Sequence, residues 1–340
     1  MPQVKITSSS GPAVINYTIS TPNAENAQSI DPTLPIILFL HPVYIGHVIF
    51  HNQFSDINLR RFNLIGFDSR GHGTTTGAIP STYRRIDAAE DVFRFMEALR
   101  LPPCHLVGMS LGACVALQTA ISYPEKVLSL FMLSPLPLIE PEIVAEGRQE
   151  IYDCWVEGRK ESNKEALLDA VFGALQLGFN GHQDPLVNAL IQSTMPKAMV
   201  NWSPEHFEEY HTISVKFFTD RKPHPLHVLQ GIKCPIQILQ CGQDIAYPIE
   251  FAEELRDRLS EAGVDVRLTQ VGDAPHFGCV TNPEEINENL YEWVLENQKG
   301  YIPPAKGTVV SPFQSELAKF GLDESDSNKS DSDEDDLMIV

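Results

Sequence analysis

The chain has 340 residues, of which 43% are hydrophobic and 21% charged, and a formal net charge of -20 at pH 7. That length buries a large core, as one big domain with an insertion or as two domains, and the composition is that of a globular protein. So acidic a chain argues against binding nucleic acid or anionic membrane surfaces through bulk electrostatics.

The start, MPQVKITSSSGPAVINY, lacks the basic and then apolar pattern of a secretory leader, and no apolar stretch reaches the ~18 residues a membrane span needs. The six cysteines are scattered without a CxxC pair, which predicts free thiols. Together these place the expected location in the cytoplasm. The three Asn-x-Ser/Thr matches, at Asn16, Asn201 and Asn328, are then chance occurrences.

In chain order, VKITS and AVINYTIS predict an opening hairpin. The runs at 35–42, 62–71, 104–110 and 127–135 are apolar on consecutive positions, as strands buried on both faces of a mostly parallel sheet are. Between them, Ile86, Ala89, Val92, Phe93 and Met96 recur at helical spacing. Strands alternating with helices predict an α/β fold with helices on both faces of the sheet, its first part spanning residues 1–138. Residues 139–230 break the alternation: rich in helix formers and aromatics, they read as a helical insertion. The pattern resumes over 231–299, with strands at 234–244 and in VDVRLTQVGDAPH, and a closing helix that starts at Pro283. Residues 300–340 read as a linker, a short helix at QSELAKF, and an acidic disordered tail with eight acids against one lysine from Gly321 onward.

One junction carries chemistry. In CHLVGMSLGACVAL a strand meets Gly108-Met-Ser110-Leu111-Gly112 and an Ala-rich helix. Flanking glycines allow a sharp turn that holds the serine hydroxyl above the sheet edge, with the first helical amides facing any developing negative charge. A serine nucleophile needs a histidine base and a carboxylate to orient it. VGDAPHFG puts His276 just after the last strand, and LQCGQDIAYP puts Asp244 just after the strand before it. All three fall at the C-terminal ends of strands, where open α/β sheets keep their sites. Asp273 is the fallback carboxylate, three residues from His276 and poorly placed to support it. His224 and His227 suggest a metal pair, but Pro225 spoils helical pairing and no third ligand accompanies them.

With His41-Pro42, Asp68-Ser-Arg-Gly-His-Gly73, Gly108-Met-Ser-Leu-Gly112, Gly242-Gln-Asp244 and Pro275-His276-Phe in this order, the chain resembles the α/β-hydrolase superfamily, of the capped serine-hydrolase type, over about residues 30–298. The resemblance implies an eight-stranded-type sheet, with residues 139–230 as a cap. It implies an oxyanion hole from the backbone amides of Val43 and Leu111, with His41 orienting the oxyanion loop. Many relatives have His-Gly where this chain has His41-Pro42, but Val43 keeps its N–H. The Asp68, Arg70 and His72 loop is expected to be structural, and Cys241 and Cys279 to be small buried fillers. The reading is a serine hydrolase that cleaves a carboxylic ester or thioester of a small to medium apolar substrate, with no metal or organic cofactor. An acyltransferase using the same residues and a non-catalytic ligand-binding or scaffold protein stay open, as do the acyl group and the oligomeric state.

Overall fold

A computed structural model describes residues 2–322. Its strands are β1 (Gln3–Ser8), β2 (Gly11–Ser20), β3 (Ile36–Leu40), β4 (Asn63–Phe67), β5 (Cys104–Met109), β6 (Val127–Leu133), β7 (Ile236–Cys241) and β8 (Val266–Val271). They form one eight-stranded sheet in the order β1-β2-β4-β3-β5-β6-β7-β8. The β1–β2 and β2–β4 pairs are antiparallel and the rest parallel.

Alternate residues of β3 show how the sheet is covered. Ile36, Leu38 and Leu40 enter one buried cluster, Ile37 and Phe39 the other, as a period of two requires for a strand packed on both faces. The edge strand β8 is half-exposed along most of its length. From β3 the chain steps outward to β4 and then returns to β5 on the other side of β3. The connections therefore diverge between β3 and β5, and a crevice opens beyond the strands' C-terminal ends there. Leu40 pairs with Gly108 at this edge, so residues after 40 and after 108 leave the sheet side by side.

Helix α1 (Arg85–Ala98) packs through Ala88, Ala89, Val92, Phe95 and Met96. This differs from the expected stripe. Ile86, in the first turn, is exposed, and Phe93 lies half-buried, stacked on Tyr123. Phe95 takes the core position, against Tyr17 and Phe67. Helix α2 (Leu111–Ser122) is buried along nearly its whole length.

Between β6 and β7 lies the helical segment: α3 (Glu142–Lys160), α4 (Lys164–Phe179), α5 (Pro185–Asn201) and shorter helical pieces. The Asn163 side chain caps α4 by accepting from the Glu165 and Ala166 amides, and Asp184 caps α5 through the Val187 amide. Asn180 ends α4 at φ 56°, a conformation asparagine tolerates well. Helices α6 (Ile249–Glu261) and α7 (Pro283–Asn297) flank β8 in sequence.

The stretch expected as a linker after residue 300 needs correction. Phe313, Leu317 and Leu322 are buried in the core, Arg60 donates to the Val310 carbonyl, and the Phe313 ring packs on Phe54. A short helical turn at Gln314–Leu317 places Phe313 and Leu317 on one face, which anchors this segment on the core. The tail expected to be disordered, from residue 323, lies outside the described residues.

Candidate active site

Ser110 sits between β5 and α2 with φ 54° and ψ -114°. A side chain in that region strains the backbone, and such strain persists only where the surroundings enforce it. Here they do. A Cβ on Gly112 would stand 2.0 Å from the Leu40 carbonyl oxygen, and one on Gly108 would stand 2.3 Å from the Gly112 oxygen. Only glycine lets α2 approach β3 and β5 so closely. The Ser110 amide also donates to the Leu133 carbonyl at 3.0 Å.

The structure brings the serine to both distant candidates. Ser110 Oγ lies 2.8 Å from His276 Nε2, and His276 Nδ1 lies 2.5 Å from Asp244 Oδ2. All three are buried, at 1%, 1% and 5% exposure, so the hydroxyl, imidazole and carboxylate form a chain screened from bulk water. The other carboxylate oxygen, Asp244 Oδ1, accepts from the Ala246 and Tyr247 amides at 3.1 and 2.9 Å, which fixes the plane of the carboxylate. Asp273 is exposed and takes no part in this chain.

His41 Nδ1 donates to the Pro42 carbonyl at 2.7 Å, while Nε2 accepts from the Ser69 amide at 2.9 Å. These partners fix the tautomer, and burial lowers the pKa of the ring. A carbonyl held this way turns the N–H of the same planar peptide, that of Val43, to the opposite side. The next residue, Tyr44, has φ 75°, so the loop bends sharply where it passes the start of α2. Leu111 opens that helix, where backbone N–H groups have no helical partner.

The neighbouring loop serves structure. Asp68 accepts from His47 Nδ1 at 2.6 Å, from the His47 amide at 2.9 Å and from Asn16 at 2.9 Å. Burial raises its pKa, but His47, His41 and Asn16 outweigh that and hold it well below the carboxylate range. Arg70 forks onto Asp91 at 2.7 and 3.1 Å. Burial among apolar groups and beside His41 pushes His72 down to about 3. Cys241 and Cys279 are buried, and burial drives the thiol of Cys241 up to about 12 and raises that of Cys279. Among the described residues no group of three or more His, Cys, Asp or Glu side chains is arranged to hold a metal ion, His224 and His227 included.

Beside the serine a cleft of about 570 Å³ runs between the sheet edge and the helical segment, its walls including Tyr44, Trp155, Phe179, Trp202, Tyr210 and Phe277. Tyr44 follows Val43 and Phe277 follows His276, so the cleft is walled by the chain neighbours of those two residues. Phe277 also joins the two parts: its amide donates to the Gly178 carbonyl, and a Cβ on Gly178 would meet its ring at 2.6 Å.

Sequence reasoning missed the residues that brace this site from behind. Tyr247 gives its amide to Asp244, lays its ring 5.3 Å from that of His276, and donates its hydroxyl to Glu140 at 2.7 Å. Glu140 in turn accepts from Arg148 at 2.8 Å and Arg221 at 3.0 Å, all buried, with Arg148 stacked on Phe218. A turn in which Asp accepts amides two and three residues on is a usable signal for the first contact. The charged cluster joins segments over a hundred residues apart and leaves no local trace.

A family model described as alpha/beta hydrolase fold matches residues 35–283. Among curated proteins the chain is similar to one provisionally named carbamate hydrolase RutD from Pantoea ananatis, with 23% identity over 68% of this chain and 78% of that protein. Among solved structures it is similar to a thermophilic esterase from Thermogutta terrifontis, with TM-score 0.66 and 18% identity over 88% of this chain and all of that one. It is also similar to the enol-lactonase from Burkholderia xenovorans LB400, with TM-score 0.62 and 16% identity over 86% of this chain and all of that one. At these identities the two structures speak for the fold alone.

Proposed function

Since the chain belongs to the α/β-hydrolase family, we propose that it is a serine hydrolase that cleaves a carboxylic ester or thioester of a small to medium apolar substrate through an acyl-enzyme. The observation that carries this reading is the hydrogen-bonded chain from Ser110 through His276 to Asp244, at 2.8 and 2.5 Å, where an apolar cleft meets the sheet edge.

Ser110 Oγ attacks the acyl carbon as its proton passes to His276 Nε2, and Asp244 stabilises the imidazolium through Nδ1. The amides of Val43 and Leu111 hold the tetrahedral oxyanion. The intermediate collapses, and the alcohol or thiol leaves with the proton from His276. His276 then takes a proton from water, the resulting hydroxide attacks the acyl-enzyme, and the carboxylic acid departs as Ser110 regains its proton. Residues 139–230 act as the cap: their aromatic side chains exclude water and receive the apolar part of the substrate. No step calls on a metal or an organic cofactor.

The test is reaction of the full chain with a small and a larger fluorophosphonate, followed by intact mass and peptide mapping. One adduct on Ser110, absent from Ser110→Ala, is the expected result. Failure of both probes on folded protein overturns the proposal. Aryl esters, thioesters and aryl carbamates then form the substrate panel, the carbamates because of the activity named for the RutD relative.

A further inference from the structure

Beside α2 lies a second cavity that shares no lining residue with the cleft at the sheet edge. Its walls are mostly apolar, with Leu117, Met132, Leu136 and Leu255 among them, yet three arginines line it: Arg85, Arg221 and Arg258. In a chain with a net charge of -20, no carboxylate among the described residues lines it. We infer that this cavity is a binding site, distinct from the Ser110 cleft, for an anionic amphiphile: a carboxylate with an apolar tail.

The charge arrangement is held by the protein. Arg258 donates through Nε and Nη2 to the His224 carbonyl, at 3.0 and 2.6 Å, and Arg85 donates through Nη2 to the Lys222 carbonyl at 2.7 Å. The segment 222–224 thus fixes two guanidinium groups by neutral acceptors, which leave their charges uncompensated. Arg221 gives Nε and Nη2 to the Pro137 carbonyl and Nη2 also to Glu140, while its Nη1 is buried without a partner. Glu140 is already shared with Arg148. A buried donor left unpaired is costly, and like charges that are close and partly desolvated repel.

The local electrostatics agree. Burial and the neighbouring Arg221 depress the pKa of Arg85. Burial, Arg85 and Arg258 hold His224 at about 4, so this imidazole is neutral in the physiological range and adds no anion and no cation. One carboxylate would relieve the repulsion and accept from several guanidinium groups, and its tail would occupy the apolar walls. A polyanion such as a nucleotide is a poorer match, because the walls present little beyond these three cations to a second charge.

The cavity also adjoins the nucleophile's helix. Cys114 lines it and lies against Arg85, and the Cys114 amide donates to the Ser110 carbonyl at 3.1 Å. The occupant therefore sits one helical turn along α2 from the serine.

Calorimetric titration of the full chain with sodium octanoate tests this, with octanol as the neutral counterpart, on the wild type, Arg85→Gln, Arg258→Gln and Arg258→Lys. Saturable binding of octanoate is expected, with octanol weaker by at least about tenfold, because the neutral hydroxyl forgoes the charge-assisted contact. Each Gln variant should lose at least about tenfold in affinity, while Arg258→Lys stays nearer the wild type and all three keep their thermal midpoint without ligand. No binding of octanoate, equal binding of octanol, or a full octanoate heat in folded Arg85→Gln and Arg258→Gln overturns the inference, the last by assigning the heat to the acyl cleft.

Discussion

The molecule contains two chains of hydroxyl, imidazole and carboxylate, and they differ less in geometry than in surroundings. In one, Ser110 Oγ is 2.8 Å from His276 Nε2, and Nδ1 is 2.5 Å from Asp244. In the other, Thr18 Oγ1 is 3.1 Å from His47 Nε2, and Nδ1 is 2.6 Å from Asp68. All six residues are buried. Distance and burial therefore do not separate the proposed nucleophile from a hydroxyl held within a strand. What separates them is the backbone. Thr18 lies in β2, paired with Gly66 of β4, and Phe313 packs edge-on against the His47 ring at 5.2 Å. Ser110 stands on a strained turn at the start of a helix, with a cleft beside it. The first arrangement closes a fold; the second presents an oxygen.

The sharpest way to break this contrast is to remove each hydroxyl. Ser110→Ala should cut turnover of a short-chain aryl ester by at least about 10⁴-fold with the fold intact by circular dichroism. Thr18→Val should leave turnover per folded molecule within about twofold and cost ~1 kcal/mol of stability, the usual worth of one hydrogen bond. If the two variants lose comparable activity, the distinction drawn from the backbone is wrong.

The carboxylates come next. Asp244→Asn is expected to lower kcat by about 10³–10⁴-fold, since the amide cannot stabilise an imidazolium and favours the wrong tautomer. Asp68→Asn should act on stability instead. The Asp68 pKa is depressed in the folded state relative to its ordinary value near 3.9. The protein then gains stability from Asp68 above about pH 4 and loses it progressively as the pH falls below that. Denaturation midpoints of wild type and Asp68→Asn should therefore differ most at neutral pH and converge in acid. A gap that stays constant with pH would show that Asp68 contributes through shape and not through charge.

Phe313→Ala probes the seal over the inert pair. Truncation of a buried phenylalanine costs ~3–5 kcal/mol, and ester turnover by the folded fraction should be unchanged. A loss of turnover beyond the loss of folded protein would mean that the His47 pair communicates with the cleft.

Much of the hydrogen-bonded chain of Ser110, His276 and Asp244 was legible in the sequence because each member sits in a short local pattern. Gly108-x-Ser110-x-Gly112 specifies a close approach that the Cβ distances at both glycines account for. Asp244 and His276 each follow an apolar strand run. The sheet was legible for the same reason: buried parallel strands are continuous apolar runs. Long-range polar contacts were not. Glu140, Arg148, Arg221 and Tyr247 meet across the join between core and insertion, and nothing in the spacing of 140, 148, 221 and 247 announces it. The pairing of Thr18 with His47, and the burial of Phe313 against them, likewise depends on how the sheet order brings β2 beside β4. Ile86 and Phe93 misled the helix reading because a 3-and-4 pattern fits more than one face of α1. Phe95 faces the core because Tyr17 and Phe67 lie there to receive it.

The smallest expected effect tests how the active chain is held. Tyr247 touches Asp244 through its amide and His276 through its ring, while its hydroxyl reaches Glu140 and Arg148 in the helical segment. Tyr247→Phe removes only the last of these contacts. It leaves Glu140 with two arginines but removes the hydroxyl's bonds to both Glu140 and Arg148, and so costs about two hydrogen bonds, ~2 kcal/mol, in thermal stability. The amide and the ring remain, so kcat should fall by no more than about threefold, an energy well under that of the hydrogen bonds lost. KM should rise with it, because the hydroxyl ties the helical segment that walls the cleft to the loop that carries Asp244. A fall in kcat of a hundredfold with KM unchanged would place the hydroxyl's influence on Asp244 and His276 themselves, and would make the charged cluster, rather than the two amides on Asp244 Oδ1, the principal support of the carboxylate.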